Sequence, residues 1–417
     1  MSPHVMTWIV AAVATAGVIL RPFNWPEAIW AVAGAALLLL LRLLSPSDAL
    51  TGVGKGTDVY LFLTGMMLLS EIAREEGFFD WLAAVATKRA NGSAARLFVL
   101  IYGVGTIVTT FLSNDATAVV LTPAVAAAVK TAKAEQPLPF LLICAFIANA
   151  ASFVLPISNP ANLVIYSSHM PPLLQWLPRY ILPSALSILA TYAVLRWTQR
   201  EALQQKVEAD VPVPELSGGG KTAALGIGAT AVVLLASSAM DIQLGLPTAI
   251  AGALTTAVVL LCEKKAPWDT IKGVSWGVLP LVAGLFVLVE ALDKTGLIRT
   301  LSTLLHAGAD RSAAGAAWGA GVAIAFATNL MNNLPAGLIA GNAVQAAQVP
   351  DAVKSAVLIG VDLGPNLSVT GSLATILWLT ALRREGQSVS AWTFLKLGCL
   401  VMPPALLLAI GAAQIFG

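Results

Sequence analysis

Residues 111–123 read FLSNDATAVVLTP: three polar residues in a row (Ser113, Asn114, Asp115) between two strongly apolar segments, with Pro123 closing the stretch. A charge at a bilayer centre costs at least about 2.5–3.5 kcal/mol, so Asp115 needs surroundings other than lipid. Yet the chain around it has the composition of a membrane protein. Of its 417 residues 57% are hydrophobic and 11% are charged, where a soluble chain has roughly 25% charged residues. The mean hydropathy is +0.81. Apolar runs close to the roughly 20 residues that span a hydrocarbon core recur along most of its length. The chain reads as an all-α polytopic membrane protein, with the lipid bilayer as its first partner.

Crossing helices are expected at 5–20, 26–44, 57–77, 138–168 and 178–198, and again at 222–240, 246–263, 274–293, 352–381 and 391–415. The one long polar stretch, around 201–221, carries Pro212, Pro214 and Gly218–Gly220, and reads as a linker between halves 1–200 and 222–417. Residues 94–133 and 312–348 are each long enough for two helices but break in the middle, at Ser113–Asp115 and at Met331–Pro335. Irregular backbone survives at membrane depth only inside protein or beside a watery cavity. Both segments are therefore expected to be re-entrant hairpins.

Shifting the chain by 219 residues sets Gly65 on Gly284, Glu71 on Glu290, Gly77 on Gly296, Thr109 on Thr328 and Asn114 on Asn333. The two halves are thus related, and the hairpin tips are equivalent. Five crossings per half is an odd number, so the repeats are expected to be inverted. Arg21, Arg74, Lys88, Arg89, Arg96, Lys130, Lys133, Arg196, Arg200, Lys206, Lys221, Lys264, Lys265, Lys272, Arg383 and Arg384 fall on one side of this arrangement, against Arg42, Lys55, Arg179, Lys294, Arg299, Arg311 and Lys354 on the other. The positive-inside rule makes the first side cytoplasmic, with the linker inside and both termini outside. Glu71 and Glu290, near helix ends beside Arg74 and Asp293–Lys294, read as solvated interfacial charges.

The fourth crossing of each half is itself broken, at LPISNPANL (Leu155–Leu163) and DLGPNLSVTGSLATI (Asp362–Ile376). Pro156, Pro160, Gly364, Pro365 and Gly371 weaken these helices. Freed backbone groups together with Ser158, Asn159, Asn162, Asn366, Ser368, Thr370, Ser372 and Thr375 are expected to face one shared cavity with the hairpin tips, Ser113, Asn114, Thr117, Asn332 and Asn333. Asn, Ser and Thr also cap and glue helices for structural reasons alone, but four coincident breaks exceed what packing requires.

Cys144, Cys262 and Cys399 are far apart, with no CxxC spacing, and read as buried apolar thiols; His4, His169 and His306 are isolated surface residues. No metal site or cofactor is called for. The net charge of +2 gives no reason to expect nucleic acid, and no Walker A sequence is present, so any ATP hydrolysis would belong to a partner. An intramembrane aspartyl protease would need two carboxylates close enough to share a proton. The repeat partner of Asp115 is Leu334 rather than Asp362, which weighs against that class.

The motifs SNDATAVVLTPAV, SNPANLVIY, NNLPAGLIAGNAV and DLGPNLSVTGSLATILWL, set in two halves with hairpins, resemble the ion transporter superfamily, and within it the arsenite-efflux permeases of the ArsB type. The resemblance covers nearly the whole chain. It implies export of arsenite or antimonite in exchange for protons, in some cases with a soluble ATPase docked on the cytoplasmic face. Sodium-coupled dicarboxylate carriers of that superfamily have Ser-Asn-Thr at each tip; here the tips read Ser113-Asn114-Asp115 and Asn332-Asn333-Leu334. Neutral arsenite is a small polyol that amides and hydroxyls can hold. Asp115, and after it Asp362, is the candidate proton-coupling group. An inward proton gains about 2.3 kcal/mol per 100 mV. Asp115 with nearby carbonyls would suit sodium equally, so a sodium/proton antiporter or sodium-coupled anion carrier is the second reading.

Overall fold

The computed structural model describes residues 2–166 and 170–416; His169 and the expected end of the fourth crossing at 167–168 lie outside them. The first half runs α1 (Pro3–Leu20), α2 (Glu27–Leu40), α3 (Pro46–Lys55), α4 (Thr57–Glu75), α5 (Phe78–Ala90), α6 (Ala94–Leu112), α7 (Asn114–Ala116), α8 (Thr122–Thr131), α9 (Leu138–Ala150), α10 (Pro160–Tyr166) and α11 (Leu173–Thr198). The second runs α12 (Gly218–Ala239), α13 (Gly245–Glu263), α14 (Trp268–Gly273), α15 (Val278–Lys294), α16 (Leu297–Arg311), α17 (Ala313–Met331), α18 (Asn333–Ala347), α19 (Asp351–Leu363), α20 (Leu373–Arg384) and α21 (Ala391–Phe416). Among the described residues seven helices (α1, α6, α11, α12, α13, α17 and α21) are long and apolar enough to cross a membrane, and α2 and α9 are shorter apolar helices. The chain is an all-helical membrane protein.

Local chemistry sets the repeat. Ser93 and Ser312, which are equivalent, accept from the backbone N–H of Arg96 at 3.3 Å and Gly315 at 3.0 Å, and so start α6 and α17. Both helices have 19 residues. Gly77 and Gly296, at φ 74° and 88°, turn the chain into α5 and α16 in a conformation that glycine adopts without steric cost.

Three expectations about elements and thiols need correction. First, α3, α5, α14 and α16 are additional helices. The last turns of α5 and α16 carry Lys88, Arg89 and Arg311, so neither reads as a membrane span, yet each packs against both arms of the segment that follows it: α5 on α6 and α8, α16 on α17 and α18. Second, Gly218–Gly220 form the first turn of α12 rather than linker, capped by Ser217 Oγ accepting from Gly220 N at 2.8 Å. Third, Cys262 and Cys399 are exposed, on α13 and α21, and only Cys144 on α9 is buried.

The halves interlock reciprocally. The first half's α4 crosses α13, and the equivalent α15 crosses α2, while α11 lies along its own counterpart α21. Small residues permit the closest approach: a Cβ on Gly65 would lie 2.1 Å from the Thr248 carbonyl oxygen, and one on Gly252 would lie 2.3 Å from that of Gly65. At the equivalent crossing a Cβ on Gly284 would lie 2.7 Å from the Ala31 backbone.

Ion pairs close the ends of these crossings. Lys55 Nζ meets Glu290 at 2.6 Å and Lys294 Nζ meets Asp48 at 2.8 Å. The Lys294 ammonium beside Asp48, with the Ser45 hydroxyl, holds that carboxyl below the usual carboxylate range. At the other end Arg74 grips Glu71 through two bonds, at 2.5 and 3.0 Å, and Lys265 meets Glu76. Glu71 and Glu290 are therefore buried rather than solvated, because α14 and α3 pack over them at Gly273 and Gly52.

Candidate functional site

The breaks at 113 and 332 share an unusual backbone. Ser113 has φ 102° and ψ 161°, and Asn332 has φ 74° and ψ 154°. These values favour glycine and cost on the order of 1–3 kcal/mol for other residues. Immediately after each strained residue stands an asparagine, Asn114 and Asn333. Both are buried, at 2% exposure each, and the Oδ1 of each is buried without a hydrogen-bond partner. Native proteins rarely leave such an atom unsatisfied. The same amide oxygen is unpartnered at both tips, as is Asn162 Oδ1 beside the first broken helix.

Beyond Asn114, Asp115 sits at a cavity wall and Thr117 turns back to bond Thr109 Oγ1 at 2.7 Å, tying α6 to the next segment. Residues Thr117–Leu121 form a π-helical turn that leads into Pro123 in the first turn of α8, where its missing N–H costs least. At the second break Asn332 Oδ1 accepts from Leu334 N at 3.4 Å, while its Nδ2 donates to the Thr370 carbonyl at 3.5 Å.

The two broken helices cross-link at their gaps. Asn159 caps α10 by accepting from Ala161 N at 3.0 Å, and its Nδ2 donates to Asp362 Oδ1 at 2.7 Å. Ser372 caps α20 by accepting from Thr375 N at 3.1 Å, and its hydroxyl donates to Asn149 Oδ1 at 3.3 Å. In each case the cap of one half's second segment reaches the last turn of the other half's first segment. Asp362 occupies in α19 the place that Asn149 holds in α9. Asp362 is fully buried, its Oδ2 has no partner, and among the described residues no cation pairs with it. An unaccompanied carboxylate in that position would cost several kcal/mol, so a proton or cation has to share it.

Each broken helix is also tied to its own half's break. Ser158 Oγ donates to the Thr110 carbonyl and Thr370 Oγ1 donates to the carbonyl of Asn329, the repeat partner of Thr110, both at 3.0 Å. Asn162 Nδ2 bonds the Ser152 carbonyl at 2.8 Å, and Asn366 joins Asn149 Nδ2 (3.0 Å) to the Phe146 carbonyl (3.2 Å).

One shared cavity is thus not what the structure holds. Asn159, Asn162, Ser158, Asn366 and Ser372 are buried in bonds that fasten the breaks. Ser113 and Asp115 alone of the expected set line the cavity of about 60 Å³ beside α4. Ser368 and Thr370 are half-buried around Asn329, whose Oδ1 accepts from Ser368 at 2.7 Å. Asn149 and Asn329 were not among the expected residues. Their signal, an Asn near the end of an apolar helix and just before a break, is present in the sequence but unremarkable.

Residues 8–363 match the family described as citrate transporter, CitMHS. The chain belongs to that family. It is a membrane transporter. It is 27% identical over 358 residues to an arsenical pump membrane protein of Yersinia enterocolitica, covering 83% of each chain. With the protein of the same name from Escherichia coli K12 it shares 26% over 403 residues, 92% of each. An uncharacterised transporter of Mycobacterium tuberculosis is 26% identical over 414 residues, 91% of each. In three dimensions the chain is similar to the Alcanivorax borkumensis YdaH transporter, with a TM-score of 0.56 at 14% identity over 99% of this chain and 97% of that one. The likeness to the YdaH transporter concerns the fold alone. The resemblance to arsenite-efflux permeases read from the four motifs is matched by these relatives.

The strained tip gives a direct test. Ser113 makes no capping bond with its side chain, so Ser113→Gly relieves the backbone and removes the hydroxymethyl group without breaking a cap. Thermal stability is expected to hold or rise by about 1 kcal/mol, while substrate transport falls. Unchanged transport would make the hydroxyl dispensable.

Proposed function

We propose that the protein exports arsenite, and antimonite, from the cytoplasm in exchange for protons, by alternating access around the two tips. The observation that carries this reading is the matched pair of buried, unpartnered amide oxygens at Asn114 and Asn333, in a chain whose relatives are named arsenical pump membrane proteins. Arsenite in its neutral trihydroxide form offers three O–H donors. The two amide oxygens and the hydroxyls of Ser113 and Thr370 suit such a polyol. Asp115, at a cavity wall, is the proton-exchanging group, and Asp362 at the crossing of the broken helices is the second candidate.

The segments 94–133 and 312–348 act as re-entrant hairpins of two inverted repeats in the inner membrane, with the linker cytoplasmic and both termini external. In support, Lys55–Glu290, Lys294–Asp48 and Arg179–Asp351 join residues placed outside by charge, while Arg74–Glu71, Lys265–Glu76 and Lys133–Glu208 join residues placed inside. A soluble ATPase could dock only on that inner face. Citrate, the substrate in the family's description, is the second reading. Against it, no basic side chain lines the cavity beside Asp115, leaving an anion's charge to a bound cation.

Everted membrane vesicles test the assignment. Arsenite uptake is expected to follow an imposed pH gradient, citrate uptake is not, and Asn114→Ala and Asn333→Ala should each lower arsenite uptake about tenfold, the worth of one hydrogen bond of roughly 1–1.5 kcal/mol, with expression intact. Wild-type uptake of citrate instead of arsenite would overturn the substrate.

A further inference from the structure

Between α4 and the first tip lies a cavity of about 60 Å³. Its mouth is at the exposed Gly273 and Ser275, and Asp115 stands on its wall. A water needs on the order of 10–15 Å³ of such space and two to four polar partners, so a short file of waters fits, with Ser70, Glu71, Ser113 and Ser275 as partners. The charged groups around it are few. Glu71 is held by Arg74 on its own helix, Glu75 accepts from Thr270 of α14, and Asp80 of α5 and Lys272 of α14 lie at the same end. Arg74 occupies the Glu71 carboxylate through both oxygens, which keeps that charge at the mouth.

The repeat provides an internal comparison. Met66, Ser70, Ala116 and Val120 line this cavity, and their partners at a shift of 219, Leu285, Val289, Pro335 and Ile339, line an equivalent crevice of about 740 Å³ between α15 and the second tip. That crevice is far larger but apolar, with Val289 in the place of Ser70, and the residue equivalent to Asp115 is Leu334. An apolar lining offers water no hydrogen-bond partners, however roomy the space. Polarity, not volume, distinguishes the two.

We propose that the small cavity is the aqueous proton path joining Asp115 to the face of the membrane that carries Arg74, and that the larger, repeat-related crevice conducts none. The proposal rests on Asp115 being the coupling group. On release, the O–H bond of the Asp115 carboxyl breaks and the proton passes to the nearest water; the file hands it past Ser70 to Ser275 and the bulk. The path thus gives the protein a fixed side for proton release, built into one half only.

Two measurements on purified protein in liposomes test this. Ser70→Val places methyls where the hydroxyl supports water. Transport driven by a pH gradient should fall at least about tenfold, while arsenite–arsenite exchange, which moves no net proton, should stay within about twofold. Val289→Ile at the equivalent position should leave both unchanged. The second measurement does not depend on the substrate. In a variant with the three cysteines replaced, Ser70→Cys should be blocked by aqueous Ag⁺ added from the Arg74 face, read as loss of maleimide labelling after unfolding, and Val289→Cys should not. A Ser70→Cys thiol that stays unblocked in folded protein, or equal blocking at both positions, overturns the path. If the wild type moves no arsenite, the substrate assignment fails and the silver experiment still decides the path.

Discussion

Asp115→Asn is expected to reduce arsenite accumulation driven by a pH gradient about a hundredfold, the lower range for loss of a positioned proton-transfer group. The substitution keeps the size and shape of the side chain at the cavity wall and removes only the ability to give up a proton. Neutral arsenite carries no charge across the membrane, so the electrical work of about 2.3 kcal/mol per 100 mV has to enter through the coupling ion. Arsenite–arsenite exchange in the same vesicles should persist within about twofold, since binding at the tips uses the amides of Asn114 and Asn333 and the transfer itself needs no net proton. Exchange and driven transport falling together would mean that Asp115 holds the tip in shape instead of coupling it.

Asp362→Asn is the companion measurement, and the repeat says why it is clean. The equivalent place in the first half is already an asparagine, Asn149, which accepts from Ser372 as Asp362 accepts from Asn159. The variant therefore makes the two interlocks alike and retains the Asn159 bond. If gradient-driven transport is lost in Asp362→Asn but kept in Asp115→Asn, the coupling proton or cation belongs to the buried interlock, where the unpartnered Oδ2 would receive it.

What the sequence made legible were the breaks themselves. Polar triplets stand out in apolar surroundings, and their recurrence at one fixed shift sets Asn114 on Asn333. The bonds that hold the breaks were not legible. Asn159 meets Asp362 across 203 residues, a contact fixed by how the halves cross rather than by any local pattern. The fourth crossings also align at a different shift, 213, which sets Asn149 on Asp362 and Asn159 on Ser372; a search at one shift passes over them. Glu71 read as solvated because Arg74 stands beside it, whereas its burial comes from α14, a six-residue helix too short and polar to register as an element. Ser113 and Asn332 in a conformation that favours glycine belong to the same class: local preference points elsewhere, and the tertiary structure overrides it at the site.

The largest structural effect is expected from Gly65→Leu, which should leave little folded protein to purify. Gly65 met Gly284 in the sequence comparison, and the structure gives the reason in packing: at each of these positions a helix of one half crosses a helix of the other with backbones in contact. Even a methyl on Gly65 would sit 2.1 Å from the Thr248 carbonyl oxygen, against backbone that cannot rotate away. The reciprocal contact from Gly252 closes the same crossing at 2.3 Å, so α4 and α13 would have to separate along their length, opening a gap among the buried Phe62, Met66 and Leu69. Overpacking in a dense core costs about 1–3 kcal/mol where neighbours can shift and more where they cannot. Gly65→Ala should therefore lower the midpoint of thermal unfolding by several degrees, for which about 3 kcal/mol is ample. Gly228→Ala is the control, because nothing lies within 4 Å of the Cβ it adds to the exposed face of α12. That variant should hold or gain about 0.5–1 kcal/mol from helix propensity. Equal stability of Gly65→Ala and Gly228→Ala, read by size-exclusion chromatography after heating, would show that the crossing of the halves is looser than their backbones require.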